Sequence, residues 1–582
     1  MAIIVILSER MRKMKTFKKS LAVFLVVLMT LSIITPAASA VDAEVYEKRP
    51  LIYIRGNGDP IYTADGRALP AGFDAILGSG DNSEDSASKD EIIEAVSNIL
   101  LPFLMEGLPF DKWDNYGDAI YEELSPLFEE MTLDENGNPR FGTVVSPEAM
   151  WDAEYRAGID FGADGREFDT LDYKFCYDYR LSPYDHVDRL HEYVLKVMDT
   201  TGYDEVCLSA KCMGGSLLNA YLEKYGHLGH VKKVFYGDVL SNGHSLISDM
   251  FSGKIEFNDK YTQLYVKQLE HCGETGEGNG LVLSQLAFEI VNETVDLFTQ
   301  IGVVDTVFGS VDILYNKLYQ ALVPALVLAS GMGTMPNYWV SVYEEDMDTA
   351  LNLIFGEEGS EKRTQYAGLI EKIQYYREHV SADLPAFYDK ISNEYGIEVG
   401  VMARYGYVNM PLVEHYDELN DGLVGLQDSS LGATCSTPTS TLSNSYIKNR
   451  LAANPDNAKY ISPDKMVDAS TCAFPETTWI VKNSHHDDKV ESFRYLAKYF
   501  LSYNNVTADS NNRNISRFLV QDRTATDSGC MVNMTEDNSE SFEWLNVYTE
   551  KPTVYSRLIS LFKWLASIFE LITKLFRDKI SF

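Results

Sequence analysis

The sequence predicts an α/β fold built on a mostly parallel β-sheet, and two observations favour it. Short apolar segments alternate with amphipathic helical segments from about residue 170 onward. Because each such helix carries the chain back across a sheet, the alternation indicates parallel strands. Of 582 residues, 45% are hydrophobic, 12% aromatic and 23% charged, which permits a large core and excludes collagen-like, coiled-coil and disordered classes.

The first forty residues are predicted to be a secretory signal peptide and not part of the fold. Six basic residues precede an apolar run at residues 21–34, and residues 38–40 supply the small side chains of a cleavage site. The run is short for a membrane span, which needs about 20 residues. We therefore predict a secreted or extracellular protein.

The exported chain would be strongly acidic. The whole sequence has a formal net charge of −36, and residues 1–40 contain six Lys or Arg but only one Glu. Nucleic acid is therefore a poor partner, because binding to it depends on basic side chains that neutralise phosphates. Seven cysteines follow the signal peptide, an odd number that leaves at least one thiol unpaired, but the sequence has no CxxC or HExxH motif. We expect no metal and no other cofactor.

Residues 41–244 are predicted to form the first half of the sheet and its helices. An apolar run at residues 51–54 precedes a glycine-rich loop, which is typical of a buried strand entering a tight turn. Further strands are predicted at residues 173–177, 205–209 and 231–236, and helices at residues 91–105, 112–131, 185–200 and 215–225.

Helical periodicity replaces the alternation over residues 245–395, which we predict to be a lid or cap insertion. Its longest apolar stripes lie at residues 281–298 and 311–329. The alternation returns in residues 396–548, the predicted second half of the core. That half has strands at residues 397–402 and 477–481 and a helix at residues 489–503.

Residues 549–582 form a separate segment with an amphipathic C-terminal helix. Polar residues recur there at three- and four-residue spacing, and large apolar residues cover the other side. Basic residues outnumber acidic ones, in contrast to the rest of the chain. The helix is therefore expected to contact a membrane surface, to bind a partner or to pack on its own domain.

Cys212 occupies a position typical of a catalytic nucleophile. Residues 210–214 follow a predicted strand, precede a helix and match the G-x-S-x-G turn, with Ala210 for the first Gly and Cys212 for Ser. Both replacements are small, as a sharp turn requires. The alternative is an inert cysteine in the core. Lys211, beside it, either lowers the pKa of the thiol or points to solvent.

Candidates for an acid and a base follow in the chain order of a hydrolase triad. Asp421 lies on an Asp-Gly turn after the strand at residues 397–402, where a carboxylate can orient an imidazole. His485 and His486 lie in the loop after the strand at residues 477–481, and either can be the base. His486 is slightly favoured because it lies one residue further from the strand, so the loop can extend further before the imidazole.

Three motifs resemble those of lecithin:cholesterol acyltransferase-like α/β-hydrolases: residues 177–183, the turn at Cys212 and residues 421–424. The resemblance implies an α/β-hydrolase fold with a lid that includes residues 336–339. It also implies acyl chemistry on lipid esters and an oxyanion hole formed by the backbone amides of Asn57 and Met213. That family uses Ser where this chain has Cys212.

These observations predict a secreted acyl hydrolase or acyltransferase that acts on esters or thioesters, lipids included, through a Cys-Asp-His triad. A thioester on Cys212 would suit transfer to amines or thiols. The alternative is a catalytically inactive surface binding module on the same fold.

Overall fold

The computed structural model describes most of the residues between 45 and 539. The described ranges are 45–56, 61–63, 68–69, 98–99, 101–144, 171–256, 258, 260–262, 264–265, 268, 307–411, 413–488, 491–522 and 530–539. The predicted signal peptide, Asn57, the apolar stripe at residues 281–298 and the C-terminal segment at residues 549–582 lie outside them.

An eight-stranded sheet forms the centre of the fold. Its strands are β1 (Pro50–Ile54), β2 (Leu171–Phe175), β3 (Val206–Lys211), β4 (Val231–Gly237), β5 (Glu398–Tyr405), β6 (Thr478–Lys482), β7 (Phe518–Asp522) and β8 (Cys530–Asn533). They lie in the order β2-β1-β3-β4-β5-β6-β7-β8, and every pair is parallel except β7 with β8. The carboxyl ends of the parallel strands therefore meet at one edge.

Nine helices of eight or more residues are described around this sheet. They are α1 (Asp114–Leu124), α2 (Tyr184–Thr201), α3 (Gly214–Tyr225), α4 (Ser245–Ser252), α5 (Val311–Ala329), α6 (Met347–Phe355), α7 (Ala367–His379), α8 (Asn444–Ala453) and α9 (Glu491–Ser502). Shorter α-helices span Leu108–Phe110, Pro336–Trp339, Glu361–Gln365, Leu384–Asp389 and Leu426–Ser429.

Short strands outside the central sheet pair into smaller sheets. Ile61–Thr63 pairs with Ala68–Leu69 and Thr143–Val144, Tyr407–Val408 pairs with Leu419–Asn420, and Thr434–Cys435 pairs with Val467–Asp468. No helix in the ranges given above has the length and the apolar composition that a membrane crossing requires.

Side chains of the central strands alternate between two cores. Leu208 packs in one hydrophobic cluster with residues of α2 and α3, whereas its neighbour Cys207 packs in another with Leu496 and Phe500 of α9. Because both faces are covered, five of the six residues of β3 are buried. This arrangement confirms the predicted α/β fold with a mostly parallel sheet.

The structure differs from the sequence prediction at the sheet edge. β7 and β8 were not predicted, although β7 pairs with β6 and extends the sheet. Residues 518–520 of β7 form a buried apolar run as long as that of β6, which sequence analysis missed, whereas all four residues of β8 are only half-buried and give no strong apolar signal. The regular elements described within residues 245–395 are helical. The predicted domain boundaries stay predictions.

Candidate active site

Cys212 lies at the sharp turn between β3 and α3. Its φ is +54°, in the left-handed region that non-glycine residues seldom adopt. Main-chain hydrogen bonds hold this conformation, because the Cys212 N–H donates to Gly237 at 3.3 Å and its carbonyl accepts from Gly215 at 3.1 Å and Leu240 at 3.3 Å. The turn thus holds Cys212 at the carboxyl edge of the sheet in a strained backbone conformation.

Close backbone packing explains the glycines around this turn. A Cβ on Gly214 would lie 2.5 Å from the Ile54 carbonyl oxygen, and one on Gly56 would lie 2.7 Å from Cβ of Cys212. The loop after β1 therefore lies directly against the turn at Cys212. The sequence indicated small residues at the turn, but the approach of Gly56 could be seen only in the structure.

Asp421 is fully buried in the turn that its motif predicted. Its Oδ1 accepts the N–H groups of Leu423 at 3.0 Å and Val424 at 2.7 Å, and its Oδ2 lies 2.8 Å from Nδ1 of His486. Burial raises the pKa of Asp421, but the charge and the hydrogen bond of His486 outweigh it and hold that pKa well below its ordinary value. Asp421 is therefore an ionised hydrogen-bond acceptor.

His486 connects Asp421 to Cys212. The imidazole is 3% exposed, its Nδ1 lies 2.8 Å from Oδ2 of Asp421, and the Cys212 side chain lies close enough to interact with it electrostatically. The main-chain N–H of His486 donates to the Asp421 carbonyl at 2.8 Å. Burial lowers the pKa of His486, but the charge and hydrogen bond of Asp421 and the interaction with Cys212 raise it to about 10. The structure thus brings Cys212, His486 and Asp421 together.

His485 lies in a different environment. Its ring packs against Gly422, where a Cβ would lie 2.5 Å from His485 Nε2, and meets the Tyr407 ring edge-on at 5.1 Å between centroids. Its Nδ1 accepts the Asp487 N–H at 3.2 Å. Burial lowers the pKa of His485. Of the two candidate bases, only the imidazole of His486 has a hydrogen bond to Asp421 among those described.

Lys211 does not point into solvent. Its side chain is half-buried, and Nζ donates to the His486 carbonyl at 2.8 Å. Burial and the nearby Arg404 charge lower the pKa of Lys211. Met213 lies immediately before α3 and is 4% exposed, so its amide is at a helix N-terminus, where negative charge is favoured. The other expected oxyanion donor, Asn57, lies outside the described residues.

The motif at residues 177–183 is linked through Asn337 to α3, the helix that follows Cys212. Arg180 forms a buried ion pair with Asp178, with Nη2 2.8 Å from Oδ2, and also donates to two main-chain carbonyls. Asn337, from the helical block, donates to the Tyr179 carbonyl at 2.8 Å and accepts from Ser216 of α3 at 2.6 Å. These contacts tie residues 336–339 to the helix that follows Cys212.

A cavity of about 720 Å³ lies beside this site, but Cys212, Asp421 and His486 do not line it. Its lining is polar and includes Glu418 and Asp428, which no motif singled out. Burial and mutual repulsion raise the pKa of Glu418 to about 8, and burial raises that of Asp428 to about 6. In the part of the chain that the structure describes, no cluster of three or more His, Cys, Asp or Glu side chains could hold a metal ion.

All six cysteines within the described ranges are free thiols, Cys212 among them. Sequence analysis missed Arg404, whose guanidinium donates to the main-chain carbonyls of His485 and His486. No pattern marked it, because an arginine inside a buried strand carries no motif of its own.

No protein-family model matches the chain, and a search of curated proteins gave no match. Among solved structures, the chain is similar to one in the crystal structure of the Tle4-Tli4 complex. The two are 15% identical, the match covers 62% of this chain and 75% of that chain, and the TM-score is 0.24.

Proposed function

We propose that this protein is an acyl hydrolase or acyltransferase that acts on esters or thioesters through Cys212, with His486 as the base and Asp421 as the orienting acid. The observation that carries the proposal is the buried His486–Asp421 hydrogen bond, with Cys212 beside the imidazole at the strained turn after β3. The resemblance to lecithin:cholesterol acyltransferase-like hydrolases agrees with this order of residues.

In the acylation step, the Cys212 thiol gives its proton to His486, whose raised pKa favours the resulting thiolate–imidazolium pair, and the Sγ thiolate attacks the carbonyl carbon of the ester. The new C–S bond leaves negative charge on the carbonyl oxygen, which the Met213 amide and, as the resemblance implies, the Asn57 amide would stabilise. When the C–O bond to the alcohol breaks, His486 gives its proton to the departing oxygen. The product is a thioester on Cys212.

In the second step, water or an acceptor alcohol, amine or thiol gives a proton to His486 and attacks the thioester carbonyl. The C–S bond breaks, and the sulfur recovers the proton. Throughout, Asp421 holds Nδ1 of the imidazole and stabilises its positive charge. Water gives hydrolysis and another acceptor gives transfer, so both reactions use the same residues.

The proposed setting is extracellular, with export through residues 1–40 and lipid esters among the substrates. The basic C-terminal helix would hold the acidic enzyme at an anionic membrane surface. Cosedimentation with anionic and neutral vesicles tests this role, using the full-length protein and a chain truncated at Pro552. Salt-sensitive binding by the full-length protein alone supports it, and equal, negligible binding by both contradicts it.

The enzymatic proposal is tested with p-nitrophenyl esters of graded acyl length. We expect Cys212→Ala to lower turnover by at least about 100-fold. The matched control is Cys207→Ala, because Cys207 is buried on the other face of the sheet, where its thiol contacts the Leu501 carbonyl. Equal turnover by wild type and Cys212→Ala would overturn the proposal, and inactivity toward every ester would favour the binding module.

A further inference from the structure

Arg404 places a positive charge inside the fold behind the candidate base. It lies near the end of β5, and both it and Asp238 are only 1% exposed. Its Nε and Nη2 donate to Oδ2 of Asp238 at 2.8 Å and 2.5 Å. Burial lowers the pKa of Arg404, but the charge and hydrogen bond of Asp238 outweigh it and raise that pKa. The guanidinium therefore stays charged.

The rest of this guanidinium binds the loop that carries His486. Nη1 donates to the His485 carbonyl at 2.5 Å and to the Asp488 carbonyl at 3.4 Å, and Nη2 donates to the His486 carbonyl at 2.6 Å. Lys211 donates to the same His486 carbonyl at 2.8 Å. Three carbonyls of this loop, those of His485, His486 and Asp488, therefore accept hydrogen bonds from buried or half-buried cations.

Only an arginine can make this set of contacts. Its planar group offers five N–H donors in a fixed fork, whereas a lysine ammonium offers three donors from one atom. An apolar side chain would leave Asp238 without its arginine partner and would remove the guanidinium donor from the His485 and Asp488 carbonyls, which is costly in a dry interior.

Arg404 also links the two sides of the candidate site. Asp238 follows β4 directly, and the same segment contacts the Cys212 turn through the Leu240 N–H. The guanidinium therefore connects the segment after β4, which contacts the Cys212 turn, to the loop that carries His486. Its charge also helps to lower the pKa of Asp421.

We infer that Arg404 is a positioning residue, whose guanidinium fixes the main chain at His486 so that the imidazole reaches both Cys212 and Asp421. The inference rests on the proposed function of these three residues. Arg404 itself acts through the loop and has no role at the reacting atoms.

The test compares Arg404→Lys and Arg404→Ala with the wild type in ester turnover, after circular dichroism confirms that each variant is folded. We expect kcat to fall by about 10- to 100-fold while KM changes by less than about 2-fold, because binding is untouched and only the base is misplaced. Added methylguanidinium should restore part of the kcat of Arg404→Ala and none of that of His486→Ala. The matched control, Arg450→Lys, alters a partly exposed arginine that pairs with the buried Asp468, and it should keep the wild-type kcat.

A folded Arg404→Lys with wild-type kcat would overturn the inference, and so would rescue that is equal in Arg404→Ala and His486→Ala. If the loop fails to fold in the arginine variants, Lys211→Met replaces them in the test. It removes a single donor to the same His486 carbonyl and should give a smaller loss of kcat. The rate of Cys212 alkylation by iodoacetamide separates this test from that of the proposed function. A slower rate in Arg404→Lys supports the positioning role even in a protein that turns over no ester, and an unchanged rate contradicts it.

Discussion

Replacing Asp421 with Asn should disable the imidazole of His486 without disturbing the fold. Asn keeps the size of the side chain, and its Oδ1 can still accept from Leu423 and Val424. The atom facing Nδ1 becomes an amide nitrogen, a donor, so the imidazole proton is driven to the nitrogen that must accept the proton of Cys212. The base is then in the wrong tautomer.

The structure gives a magnitude for this change. The interactions around His486 raise its pKa from 6.5 to about 10, which corresponds to about 5 kcal/mol in favour of the imidazolium. Asp421 and Cys212 share this stabilisation. If Asp421 provides about half of it, its loss raises the barrier for proton transfer by about 2 to 3 kcal/mol, which is on the order of 100-fold in rate.

The assay is the single-turnover rate of acylation by a p-nitrophenyl ester at pH 7. Asp487→Asn is the matched control, because Asp487 is exposed in the same loop as His486. We expect Asp421→Asn to be slower by at least about 100-fold and Asp487→Asn to match the wild type. A rate within about 3-fold of wild type in folded Asp421→Asn would refute the role of this carboxylate.

Three further predictions concern packing, thiol chemistry and pH. Gly214→Ala should destabilise the fold by about 3 kcal/mol in urea unfolding, because its Cβ would meet the Ile54 carbonyl oxygen at 2.5 Å, whereas Gly117→Ala in α1 meets nothing closer than 3.7 Å and should be neutral or stabilising. Iodoacetamide should label Cys212 in the native protein but not Cys207, whose pKa burial raises to about 12, and peptide mapping that finds Cys212 in a disulfide would contradict its role. The pKa of Glu418 rises from 4.5 to about 8 on folding, so the stability present below pH 4.5 is lost as pH rises through 8. Glu418→Gln should therefore melt at a higher temperature than wild type at pH 9, with a smaller difference at pH 5, and equal melting curves at pH 9 would contradict this.

The central part of the fold was predictable because its signals are local. β3 and β4 are apolar segments of the right length, and α3 begins within one residue of its predicted start. Buried parallel strands need continuous apolar runs, and helices beside them need one apolar stripe, so each element is visible in its own sequence. β7 carries an apolar run at residues 518–520 that sequence analysis missed, and its pairing with β6 shows that this run extends the sheet.

The sequence by itself also determined which residue types occupy the candidate site. A small-residue turn after a strand, an Asp-Gly turn and a histidine loop in the right chain order are local features of Cys212, Asp421 and His486. Only the tertiary structure shows that His486, and not His485, lies on the Asp421 carboxylate, since neighbours in a loop point to different surroundings. It alone placed Lys211 and Arg404 on the His486 carbonyl. Arg404 lies 82 residues from His486 in the chain, and a hydrogen bond over that separation depends on how two distant strands pair in one sheet.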